Sequence, residues 1–347
     1  MRNTSSNGSN SRKWGIDILR LLSMFMVVLL HNLGQGGGLA WTFDTTHEWV
    51  LWYLEDLSIV AVDVFALISG FLLVGKRDCW KNVAGLYLTV LFWSAVLNLP
   101  LVVLQPEGVA FSQIVLAIFP VLSKGYWYFN AYLLLLVFVP FLNAGFSRFS
   151  SRGLLGVAFM MLALMCSVGF LGGLGAASGY SAIWLSCLYV CGAAIRLNEE
   201  VIFRAFSRRR MLVAVLLLPA VSLALQVDSA AHGVNTGLWI SYVSPIVAAQ
   251  ALALFGLLLR VRVESPRVRK VLKVASVSAF SVYLIDQSAL VYSFLLKDAF
   301  AFTRSLPTVQ SAALIVGVSI LMFVAFLLMD MVRLRLCRLF ERILRFE

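Results

Sequence analysis

Residues 14–33 read WGIDILRLLSMFMVVLLHNL, and this stretch decides the fold class. About 20 mostly apolar residues are what a helix needs to cross the hydrocarbon core of a bilayer. Only Asp17, Arg20 and His31 interrupt the apolar run with ionisable groups. No small-residue cleavage site follows it, so it reads as a retained helix rather than a signal peptide. Its exit, Gly34-Gln35-Gly36-Gly37-Gly38, is a flexible turn.

The same kind of run recurs along the chain. Further apolar cores fall at 58–74, 83–104, 127–143, 153–171, 181–196, 211–226, 238–259, 274–295 and 309–331. The reading is therefore all-α, a polytopic membrane bundle of about ten helices. A shorter run at 109–122, with Pro120, reads as a re-entrant or interfacial helix, or as an eleventh span. Composition agrees. The 347 residues are 61% hydrophobic and 13% charged, with a mean hydropathy of +0.90. Soluble domains carry roughly 25% charged residues. Residues 1–12 are rich in Ser, Asn and Gly and read as a disordered N-terminus, and 333–347 as a basic tail.

The net charge of +11 does not point to nucleic acid. With ten spans, 24 of the 28 lysines and arginines fall on the side of the two termini and three on the other, with Arg20 inside the first span. That asymmetry places both termini in the cytoplasm. An eleventh span would scramble it. None of the five cysteines falls in an outer loop and none forms a CxxC pair, so neither a disulfide framework nor a metal site is expected.

Ionisable residues within spans are costly and usually face a cavity or a partner. Five are read here: Asp17, Arg20, His31, Asp63 and Asp286. The eleven residues from Arg20 to His31 make about three helical turns, which sets both on one stripe about 16 Å apart along the axis. Asp17, one turn before Arg20, can hold its guanidinium. Arg20 then either snorkels to the inner interface or forms an anion site, such as one for phosphate. His31 is either a wetted interfacial residue or part of a buried site. Asp286 lies about 20 Å in from Lys273 at the helical rise, level with His31. It either pairs with His31 or stays protonated against a neighbouring helix. Ser69-Gly70 in the second span allows close helix packing or close approach of a ligand. The aromatics Trp41, Trp49, Trp52, Tyr53 and Tyr126–Phe129 read mostly as an outer interfacial belt, with sugar stacking as the alternative.

In order along the chain, these residues resemble a known family. Gly15-Ile16-Asp17-Ile18-Leu19-Arg20, followed ten residues later by His31-Asn32, resembles the Arg-x10-His signature of the integral-membrane acyltransferase 3 family. Val62–Leu72, Trp127–Asn143 with Pro140, Tyr189–Arg196 and Ser278–Ile285 resemble its later motifs. The chain is most similar to short members without a fused soluble domain, the type that O-acetylates enterobacterial common antigen. The resemblance implies a transmembrane acyltransferase domain over 13–332 in a bacterial inner membrane, with acetyl-CoA as cytoplasmic donor and no metal. The acceptor would be a hydroxyl of an envelope glycan or lipid-linked sugar. By the same resemblance Arg20, with Asp17, Ser69 and Gly70, would bind the donor, and His31 would be the essential histidine, acting as base or as acyl carrier. One departure stands out: Asp286 occupies a position where the family usually has histidine. A transporter or exporter of a small metabolite or amino acid is the alternative function.

Overall fold

A computed structural model of the chain describes residues 12–76, 80–104, 119, 121 and 126–343. The expected run at 109–122, apart from residues 119 and 121, and all but one residue of the expected disordered N-terminus lie outside the described residues. Among those described, the chain is helical and has no strand. Seven helices are long and apolar enough to cross a membrane, and a bent pair makes an eighth. The chain is a multi-pass membrane protein.

The first helix, α1, is Trp14–Leu33. It is followed by α2 (Thr46–Ser58) and α3 (Ala61–Leu73), which continue one another and together span 28 residues. The sequence reading starts this span at 58, one helix too late. The cause is a capping box: Thr45 accepts from the Glu48 amide while Glu48 accepts from the Thr45 amide, which starts the helix at 46. Next come α4 (Trp80–Leu104), α5 (Trp127–Phe146), α6 (Ser151–Leu164), α7 (Ala182–Leu197) and the short α8 (Glu199–Ala205). Then follow α9 (Arg208–Ala231), α10 (Pro245–Leu259), α11 (Pro266–Asp286), the one-turn α12 (Ala289–Val291) and α13 (Thr308–Ile343). Pro245 and Pro266 start their helices where a missing N–H does no harm. The boundary expected at 333 is not a structural break, because α13 runs on to Ile343.

Two of the ten expected spans are the short helices α7 and α10, of 16 and 15 residues. Their lengths of about 24 and 22 Å fall below the ~30 Å hydrocarbon thickness. Both nonetheless run between the same two faces. Gly179, just before α7, packs on Tyr242, just before α10. At the other ends, Glu199 pairs with Lys13 and Arg260 donates to the carbonyls of Phe203 and Phe206. One face therefore gathers Arg12, Lys13, Arg208 and Arg260. We call it the N-terminal face.

Small residues let the helices close up. A Cβ on Gly70 would stand 2.0 Å from the Tyr189 carbonyl oxygen, and one on Gly192 2.1 Å from that of Leu67. Helices α3 and α7 thus meet backbone to backbone through a reciprocal pair of glycines. Gly15 does the same for α1 and α10, with only 1.9 Å to the Leu258 oxygen. These contacts anchor the N-terminal half of α1 between its neighbours.

Candidate active site

Helix α1 supplies three of the expected residues. Asp17 is buried, but its partner is Arg12 rather than Arg20. Arg12 grips it with two bonds of 2.7 and 2.8 Å and also reaches Ser276 of α11 at 3.2 Å. A bidentate fork is stronger than a single contact, and Arg12, ahead of the helix, is free to take that geometry. The bond to Asp17 raises the Arg12 pKa above the ordinary guanidinium value.

Arg20 is left half-buried, with no hydrogen bond or ion pair among the described residues. It feels Asp17 and Tyr132 electrostatically. Tyr132, on α5, stands 3.0 Å from the Ser69 hydroxyl, which in turn donates to the Phe65 carbonyl at 3.0 Å. Arg20, Tyr132 and Ser69 thus form one polar patch between α1, α3 and α5. Gly70 is not open to a ligand on its Cβ side, because the α7 backbone fills that position.

At the other end of α1, the His31 Nδ1 meets the Asp286 Oδ2 in a short hydrogen bond. Asp286 is fully buried and its second oxygen has no partner among the described residues. The carboxylate holds the imidazole with Nδ1 as donor, which leaves Nε2 as the basic nitrogen. Asp286 stands at a helix end, not within a continuous span as the sequence reading has it. The chain bends by 57° between α11 and the segment that follows, and Ser288 caps the new turn by accepting from the Val291 amide. The bend brings in Gln287, whose amide nitrogen is 3.0 Å from both ring nitrogens of His31. No role was read for Gln287 in the sequence. Its signal is the Ser288 cap, which marks a break directly after Asp286.

Beside His31 lies a cavity of about 30 Å³. Met24, Val27 and Phe65 form its apolar wall, and Trp127, Tyr128 and Tyr283 its aromatic one. The aromatic run at 126–129 is therefore not chiefly a belt. Tyr126, Tyr128 and Phe129 are buried, as is Trp52, while Trp41 and Trp49 remain exposed. Tyr126 donates to the Leu284 carbonyl at 3.1 Å and so ties α5 to the helix that carries Asp286.

Two buried acids, Asp56 and Asp330, and the half-buried Glu55 are not among the five read from the sequence. Asp56 is 1% exposed and accepts from Gln226 and Ser222. Its neighbour Glu55 has one oxygen buried without a partner. Asp330 accepts from Trp93 and pairs with Arg333. Asp63 was read within its span and accepts from the Trp184 indole at 2.9 Å. No cluster of possible metal ligands occurs among the described residues.

Arg20 near one face and the His31–Asp286 pair towards the other thus stand at opposite ends of α1. Over residues 13–330 the chain matches the acyltransferase domain model of the acyltransferase 3 family. The chain belongs to this family. No curated protein and no solved structure matches it. As a member of the acyltransferase 3 family it is a membrane acyltransferase, and the motif residues Arg20 and His31 lie within the matched region.

Proposed function

We propose that this acyltransferase moves an acetyl group from cytoplasmic acetyl-CoA to a hydroxyl of an envelope glycan or lipid-linked sugar, in a bacterial inner membrane. The observation that carries this reading is the His31–Asp286 pair at the far end of the helix that bears the unpaired Arg20. A cation with free donors suits a coenzyme A phosphate on the N-terminal face, taken here as cytoplasmic. The pantetheine arm would follow the α1 stripe and deliver the thioester towards His31. Nε2 of His31 then takes the proton of the acceptor hydroxyl as that oxygen attacks the thioester carbonyl. The C–S bond breaks, the thiolate of coenzyme A leaves, and Asp286 stabilises the imidazolium that forms. Asp286 thus does by charge what a neutral histidine at that place cannot. The aromatic residues Trp127, Tyr128 and Tyr283 beside His31 suit the apolar face of a sugar ring.

The test is the O-acetyl content of envelope glycans from the native strain, a deletion, and the deletion carrying His31→Ala at matched protein level. The reading expects acetyl groups to vanish in the deletion and to stay absent with His31→Ala. Unchanged glycans in all three would remove glycan acetylation and direct attention to small-molecule flux.

A further inference from the structure

A second cavity is far larger than the one beside His31. It opens on the N-terminal face and measures about 1060 Å³. Trp14 and Phe203 line it together with Arg208, Arg260, Arg262 and Arg269. Arg12 and Lys13 also line it, but they are committed to Asp17 and Glu199. The other four arginines have no carboxylate partner among the described residues. Arg208 donates to the Arg260 carbonyl, Arg269 to that of Val263, and Arg260 to those of Phe203 and Phe206. These bonds fix the guanidinium groups of Arg208, Arg260 and Arg269 without neutralising them, and Arg262 stands exposed beside them. Arg260 also keeps a buried Nε with no partner, and desolvation, then repulsion from Arg208, lowers its pKa. Glu264 is the one acid in the lining.

This cavity is not the Arg20 patch. At about 100° per residue, Trp14 and Gly15 lie about 120° and 140° from Arg20 in opposite senses, so both fall on the side of the helix away from it. Trp14 lines the cavity and Gly15 touches the α10 end that lines it, so the cavity is centred behind α1 as seen from Arg20. Its outer flank is apolar. Leu212 and Leu216 continue the Arg208 stripe of α9 towards the membrane interior and are 48% and 50% exposed. A cluster of arginines on the N-terminal face, with an exposed apolar stripe rising from it, matches a phosphate group with acyl chains attached.

We infer that this cavity is a binding site for an anionic phospholipid of the leaflet on the N-terminal side, separate from the donor site. The site goes beyond the proposed acyl transfer and does not depend on it. The test uses the purified full-length protein in an uncharged detergent, with phosphatidylglycerol as probe and phosphatidylcholine as control, and reads lipid adducts by native mass spectrometry. Phosphatidylglycerol should bind in preference to phosphatidylcholine. The double variant Arg262→Ser with Arg269→Ser should weaken that binding roughly thirtyfold, at about fivefold for each arginine near a headgroup. Arg262→Lys with Arg269→Lys should retain most of it, which separates lost charge from lost fold. Arg20→Ala should bind the lipid normally. Equal binding of the two lipids, or loss of lipid binding in Arg20→Ala, overturns the inference. So does displacement of the lipid by inorganic phosphate or coenzyme A, which would make the cavity a site for a soluble phosphate ligand.

Discussion

At the start of α1, Arg12 is 39% exposed and holds the buried Asp17, among several other cations on the same face. At the end of α1, His31 is 19% exposed and Asp286 not at all, and among the described residues no lysine or arginine hydrogen-bonds to either. Both places hold an acid against a nitrogen base. They differ in solvent and in redundancy. On the N-terminal face water screens the Arg12 side of the pair, and a neighbouring cation can stand in for it. At depth the effective dielectric constant is low and an unpaired charge has no substitute. Function should therefore be brittle at His31 and tolerant near Arg12.

That contrast ranks the outcomes of substitution. The largest effect belongs to His31→Ala, which should lower acyl transfer by roughly 10²–10⁴-fold, the range of a lost general base, with normal amounts of membrane-inserted protein. Retention of more than half the activity would dissolve the contrast. Next is Gly70→Leu. Its side chain would drive α3 off the Tyr189 carbonyl, and overpacking of this kind costs about 1–3 kcal/mol or more. A lower unfolding temperature in detergent should follow, whatever the donor concentration. Arg20→Ala should act on the donor alone: KM for acetyl-CoA rises roughly tenfold or more, the worth of a charged hydrogen bond, with kcat less affected. A fall in kcat with unchanged KM would move Arg20 from binding to chemistry. The smallest effect is at Arg204, whose pair with Glu200 is 84% and 88% exposed. Arg204→Ala should change neither stability nor rate measurably.

The sequence carries the helices better than their breaks. Apolar runs mark where a span exists, because every backbone polar group must be satisfied inside the bilayer. They do not mark its ends. Thr45 and Glu48 extend the second span outward by a dozen residues through a cap, and this draws Asp56 into the protein. The one-stripe spacing of Arg20 and His31 was legible because both sit on one unbroken helix. The His31–Asp286 contact was legible as one of two alternatives, since equal depth permits contact without requiring it. What the sequence could not choose was the partner of Asp17. Arg12 lies ahead of the helix, where no periodicity applies, and only the fold shows it turning back to make two bonds.

The central claim is that His31 and Asp286 act as one unit. It is tested most directly by a double-mutant cycle on the initial rate of label transfer from acetyl-CoA, using wild type, His31→Ala, Asp286→Asn and the double variant at matched protein level. If the carboxylate works through the imidazole, the double variant is no slower than His31→Ala alone, because the second loss has nothing left to remove. If the two losses multiply, Asp286 acts independently of His31 and the account of the pair is wrong.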